Sequence, residues 1–141
     1  MNAAYPGEMA LGESRGARAK WSRRMPSTGL SIGPYGLSTK NIDVAVVRTS
    51  PGAYALGRMN TAGEFVVEYV GRSDDDVNAR LKTHAATGKY SAFKADYTAT
   101  MKAAFEWECR MFHDFPGLDN AIHPARPAGS NWTCPRCMKF G

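Results

Sequence analysis

The pattern of apolar and polar positions changes character near Ile42. Residues 1–40 are rich in Gly, Ser, Ala and Arg. They hold no sustained helical or strand period, which predicts a disordered N-terminal segment. Met25 offers an internal start for a shorter chain. Residues 42–47, Ile-Asp-Val-Ala-Val-Val, are mostly β-branched and read as a strand. Pro51-Gly52 then punctuates the chain. Residues 53–56 read as a second strand and residues 65–70 as a third. Between these two lies a polar, glycine-containing turn from Arg58 to Gly63, so an antiparallel hairpin is the shortest connection. A hairpin centred there sets Tyr54 opposite Tyr69, and a slip of a residue or two keeps them close.

Helical periodicity follows. Ser73 to Asp76 supplies N-cap candidates for a helix over 77–86, and Thr87-Gly88 ends it. Val77 and Leu81 face inward. Arg80 and His84 are four residues apart and share an adjoining strip. Residues 90–97 read equally as strand, loop or half-turn. A second helix is predicted over 99–115, with an apolar stripe of Met101, Ala104, Phe105, Met111, Phe112 and Phe115. Pro116-Gly117 stops it. Beyond it the prolines 124, 127 and 135 accompany no convincing element, and the chain has no internal repeat.

The length of 141 residues suits one domain, with 43% hydrophobic and 22% charged residues. No apolar run approaches the ~18 residues of a membrane helix, and no signal-peptide stretch opens the chain. The expectation is a soluble, cytoplasmic protein, with association to the nucleoid one option. The net charge of +5 is unevenly placed. Residues 1–40 hold six Lys or Arg against two Glu; residues 41–120 hold nine against eleven acids; residues 121–141 hold three and no acid. Basic ends around a slightly acidic middle suit a polyanion partner, and equally suit solvated tails.

Glu108 falls inside the apolar stripe of the second helix. A carboxylate there must be paired, protonated or metal-bound. A salt bridge to an arginine or a cap on a neighbouring backbone group is the plain alternative to a metal. Two tyrosines on adjacent strands and an arginine near a helix start could complete a phosphodiester-hydrolysing set. One carboxylate can hold Mg²⁺ when a substrate supplies phosphate oxygens, and arginine clamps developing phosphate charge.

Gly52-Ala53-Tyr54 followed by Tyr69-Val70-Gly71 resembles the paired signature of the GIY-YIG nucleases, with Ala and Val in place of the two isoleucines. Arg80, eleven residues after Tyr69, matches the helix arginine of that family. Glu108 matches its metal-binding glutamate, and Asn120 the asparagine that often closes the domain. The resemblance covers residues 44–120. It implies an α/β (α+β) domain: a small three-stranded antiparallel sheet flanked by helices. It implies DNA cleavage with one divalent ion, Mg²⁺ or Mn²⁺. Tyr54 would help to deprotonate the attacking water, and Tyr69 would orient that water or a phosphate oxygen. Arg80 would stabilise phosphorane-like charge, and Glu108 would hold the metal. Gly52 and Gly71, placed with the substrate-binding residues, would keep the site open and permit its backbone turns. His84 would tune a tyrosine or touch phosphate, and Arg72 is a further phosphate contact. Asn120 is placed among the substrate-binding residues.

The cysteines point to a second site. Three cysteines, Cys109, Cys134 and Cys137, argue against a disulfide framework. Cys134-Pro135-Arg136-Cys137 is half of a zinc site, and Cys109 with His113 at i, i+4 is a candidate other half. His123 is the rival fourth ligand. Zinc would order a proline-rich tail that has little apolar content. The reading is thus a basic segment over 1–40, a nuclease domain over 41–120 and a zinc-binding tail over 121–141. The alternatives are a DNA-binding module of the same fold that does not cut, and a small zinc-dependent interaction protein. Oligomeric state and DNA preference are open.

Overall fold

The computed structural model describes residues 26–138. Most of the expected N-terminal disorder, residues 1–25, lies outside the described residues. The rest of that expectation is corrected, because regular structure begins ten residues before Ile42. The elements in order are β1 (Ile32–Gly36), α1 (Thr39–Ala45), β2 (Gly52–Met59), β3 (Phe65–Ser73), α2 (Val77–Thr87), β4 (Ala92–Tyr97) and α3 (Met101–Asp114). The fold is α+β. Its sheet has four strands in the order β1-β4-β2-β3, all antiparallel, rather than the expected three. Two of the expected strands are present as β2 and β3, and the edge strand β1 is not among those expected. The ambiguous stretch 90–97 is resolved as β4, which sits between β1 and β2.

Alternation along the strands divides the core in two. Tyr54 and Leu56 of β2 point to one face with Phe93, and Ile42, Val46, Val77 and Leu81 of the helical segments cover them. Ala53 and Ala55 point to the other face, where Val70, Met111 and Phe115 meet them. Small residues on this second face let α3 lie close to the sheet.

The strand expected over 42–47 is instead the second half of α1 and its exit. The Ser38 side chain caps this helix by accepting from the Asn41 N–H at 3.1 Å. Ile42 and Val46, four residues apart, are fully buried, whereas Val44 and Val47 are 73% and 72% exposed. That period belongs to a helix. The preference of β-branched residues for strands is overridden by a core that takes one residue per turn. The exit is tied down from two sides: the Asn78 side chain donates to the Val46 carbonyl at 2.8 Å, and the Val47 N–H donates to the Tyr97 hydroxyl at 2.8 Å.

The β2–β3 hairpin forms, in a shifted register. Tyr54 pairs with Gly71, and Tyr69 with Leu56. The turn is set by Asn60, whose side-chain oxygen accepts from Ala62 and Glu64 N–H groups, and by Gly63 at φ +81°. A bulge between Leu56 and Gly57 adjusts the rest. Because the displacement is two residues, both tyrosines keep the same face. A side chain at position 71 would put its Cβ 2.5 Å from Cζ and Oη of Tyr54. Glycine is therefore needed for the Tyr54 ring to lie across β3.

Candidate active site and metal-binding cluster

Tyr54 is 1% exposed, and its hydroxyl lies 2.7 Å from Nε2 of His84. His84 stands on α2, which begins with Asp76 accepting from the Ala79 N–H and ends at Gly88 in the left-handed region. Its ring is 5.3 Å from that of Tyr54 and 5.4 Å from that of Tyr69. Burial pushes the Tyr54 hydroxyl well above the ordinary tyrosine range. Tyr69 and Glu108 add to this shift, and Arg80 opposes it. Tyr69 is raised by burial and by Glu108, against Arg80. Burial and Arg80 lower His84, so its imidazole is neutral near pH 7 and able to accept a proton. Arg80 is thus within electrostatic reach of Tyr54, Tyr69, His84 and Glu108, and Glu108 of both tyrosines.

Glu108 approaches from α3, on the face of the sheet opposite the tyrosines. It is 9% exposed. Burial raises its carboxyl, and Arg72 pulls it back. Arg72 Nη1 donates to Glu108 Oε1 at 2.8 Å. Among the described residues, Oε2 accepts no hydrogen bond. The buried acid is thus paired through one oxygen and open at the other.

Four residues expected at a substrate make contacts within the fold. Arg72 is engaged within the fold: it also donates to Asp74 Oδ1 at 2.8 Å and to the Ala125 carbonyl at 2.7 Å. Its guanidinium lies 5.2 Å over the Phe105 ring. Asn120 bonds to the sheet edge. Its Oδ1 accepts from the Val70 N–H at 3.0 Å, and its Nδ2 donates to the Val70 carbonyl at 2.8 Å. It serves the open edge of β3 as a missing strand would. Gly52 is required by packing, since a Cβ there would meet the Asp96 carbonyl and come 3.1 Å from the Val77 side chain. Gly71 gives room to Tyr54 rather than to a ligand. Asp74 and Ala125 were not legible as partners of Arg72: one lies in a run of helix-capping acids, and the other contributes only a backbone carbonyl.

The second site forms where the tail returns to α3. Ligand atoms of His113, His123, Cys134 and Cys137 all lie within 4.8 Å of one another, a group that could hold a metal ion. The rival ligand His123 is the one brought in, and Cys109 is outside this set. The reason is depth: Cys109 sits one turn before His113, fully buried against Phe105 and Cys134 with Trp132 beside them. Burial and the neighbouring Cys134 push the Cys109 thiol up, which suits a core residue. His123 reaches the cluster by packing its ring 5.4 Å from Phe112 and 5.1 Å from His113. Its Nδ1 lies 2.9 Å from the Pro124 carbonyl, a partner for an Nδ1–H, and Nε2 is the ring nitrogen that faces the cluster. That Nε2 is 3.5 Å from Cys137 Sγ. Tetrahedral zinc with bonds of ~2.0 and ~2.3 Å requires an N–S edge of about 3.5 Å.

The knuckle is preorganised. The Arg136 N–H donates to Cys134 Sγ at 3.4 Å and the Met138 N–H to the Cys134 carbonyl at 2.9 Å. Burial raises the Cys134 thiol, but N–H groups of Cys137 and Arg136 and the His123 ring outweigh it and bring it to about 6. A thiolate at neutral pH is the form that binds a cation. Arg136 pairs bidentately with Asp114 at 2.9 and 2.8 Å, anchoring the knuckle to the end of α3.

Comparison with protein-family models, with curated proteins and with solved structures finds no match for this chain. Among the described residues no helix is long and apolar enough to cross a membrane.

Proposed function

We propose that the chain is a divalent-metal-dependent endonuclease of the GIY-YIG type, hydrolysing DNA phosphodiester bonds. The observation that carries this reading is the contact of Tyr54 with a neutral His84, 2.7 Å apart, inside the field of Tyr69, Arg80 and Glu108. A tyrosine with a raised pKa is a poor base alone. With His84 as acceptor it becomes a relay: its proton passes to Nε2 as it takes one from the attacking water. The water oxygen then bonds to phosphorus and the bond to the leaving oxygen breaks. Tyr69 orients the water or a phosphate oxygen, and Arg80 meets the charge that builds on the phosphoryl oxygens. Mg²⁺ or Mn²⁺, when bound, supplies positive charge to those oxygens. Glu108 suits it, because Arg72 holds Oε1 and leaves Oε2 open. DNA is the partner this chemistry and the net charge of +5 call for.

The tail site is proposed to hold structural Zn²⁺ through His113, His123, Cys134 and Cys137, a closed set of four with no position left for substrate. One observation favours a second reading. The Arg72–Glu108 ion pair satisfies the buried carboxylate without any metal, as a DNA-binding module that does not cut would require.

Cleavage of supercoiled plasmid with Mg²⁺ or Mn²⁺, comparing wild type with Glu108→Gln, separates the two. EDTA alone does not, since it also strips the tail site. Metal-dependent nicking by wild type and none by the variant supports the nuclease. Retained DNA binding without nicking by either protein supports the module.

A further inference from the structure

Arg72 links the two sites. Its guanidinium donates to Glu108 Oε1 and Asp74 on one side and to the Ala125 carbonyl on the other. Ala125 lies two residues after His123, a member of the metal-binding cluster. A second connection runs beneath the same guanidinium. It rests over Phe105, and the Phe105 ring is 6.0 Å from Trp132, two residues before Cys134. A third runs beside it: Cys109, next in sequence to Glu108, is buried against Cys134. Residues 121–138 contain no helix or strand that would hold Ala125 or Trp132 in place. Within the segment Arg126 donates to the Trp132 carbonyl at 3.2 Å, and Ser130 donates to the Pro127 carbonyl at 2.8 Å. Its ties to the rest of the fold include the cluster, the Asp114–Arg136 pair, Arg72 and the Phe105–Trp132 contact.

From these contacts we infer that the His113–His123–Cys134–Cys137 site is a positioning device for Glu108, acting through the Ala125 carbonyl and Arg72. Without the Ala125 carbonyl the buried guanidinium keeps Asp74 and Glu108 as acceptors, but its Nη2 end loses the acceptor that sets its tilt over Phe105. The carboxylate oxygen it holds then loses its fixed direction. Arg72 is a positioning residue in this account. The inference rests on the tail site holding a metal, and it stands whether or not the chain cuts DNA.

The test follows the Arg72 Nη2–H resonance, the group that donates to the Ala125 carbonyl, by low-temperature ¹⁵N–¹H NMR in the full-length protein, with bound zinc counted first by native mass spectrometry. The zinc-loaded wild type is expected to show a shifted Arg72 signal. Its exchange with water should be slowed at least about tenfold relative to an exposed arginine. Stripping the zinc, or His123→Ala, should return that signal to the exposed-arginine position while the β2–β3 amides stay protected. His123→Cys should bind zinc and restore the signal. An Arg72 signal indifferent to zinc in a folded protein would overturn the inference. So would loss of the whole fold on stripping, because the site would then be a staple of the entire domain. A wild type that binds no zinc fails at the first step and removes the metal reading itself, which keeps the two failures distinct.

Discussion

The Tyr54 hydroxyl and the His84 Nε2 stand 2.7 Å apart in a pocket that opposes charge on both. Burial raises the tyrosine and lowers the histidine, so the resting pair is neutral with the proton on oxygen. Each partner thereby holds the state it needs for a relay. Tyr54→Phe removes the relay and keeps the ring that covers Gly71. Cleavage should fall about 10²- to 10⁴-fold with the fold intact. Single-turnover rates on plasmid DNA, with circular dichroism as the control for folding, check this. An active Tyr54→Phe protein would remove Tyr54 from the chemistry.

The same pair sets a pH dependence. His84 accepts a proton only when neutral, and its pKa lies below the ordinary ~6.5. Cleavage should therefore be maintained through pH 6.5 and fall at lower pH, as His84 protonates. Stability has the same sign. The unfolded chain takes up this proton near pH ~6.5, before the folded chain does, so the contribution of His84 is full above that pH and is lost below it. A pH–rate profile of wild type against His84→Gln tests the assignment. An acid limb unchanged in the variant would show that another group controls it.

On the proposed reading Glu108 has two separable duties. Glu108→Gln keeps an oxygen for Arg72 and should fold normally while losing metal-dependent cleavage. Glu108→Ala leaves the guanidinium of Arg72 short of a buried partner. Asp74 and the Ala125 carbonyl remain, so the loss should be about 1–3 kcal/mol, below that of a fully orphaned buried charge. Urea denaturation of the two variants measures the difference. Equal stability of both would mean that the ion pair contributes little.

Asn120 should behave as part of the sheet. Asn120→Ala removes both hydrogen bonds to Val70 on the open edge of β3 and should cost about 1–2 kcal/mol. Residual activity should track the folded fraction. Lost cleavage in a variant of wild-type stability would restore Asn120 to the substrate.

Metal content distinguishes the cysteines. Cys137→Ser should abolish zinc binding. Cys109→Ser should retain one zinc per chain and lose stability through a polar atom in the Phe105–Cys134 cluster. Zinc counted by native mass spectrometry decides it, and a Cys109→Ser protein without zinc would return Cys109 to the ligand set.

The strands 53–56 and 65–70 and both long helices were legible because each carries its own period and its own stop: Gly63 in the turn, Gly88 after α2, Pro116-Gly117 after α3. Glu108 stood out for a local reason too, as a charge within an apolar stripe. Other features have no local signature. Residues 42–47 are β-rich in composition and helical in place, because the core accepts Ile42 and Val46 and leaves Val44 and Val47 in water. The exchange of His123 for Cys109 turns on how deep α3 sits when Phe105 and Trp132 close over it. Arg72 and Asn120 are exposed-type residues by chemistry. Their roles are set by a strand edge and a backbone carbonyl some 50 residues away in the chain. Spacing within a segment reports which residues share a face. Which acceptor lies opposite that face is a property of two segments, and it exists only once both are folded.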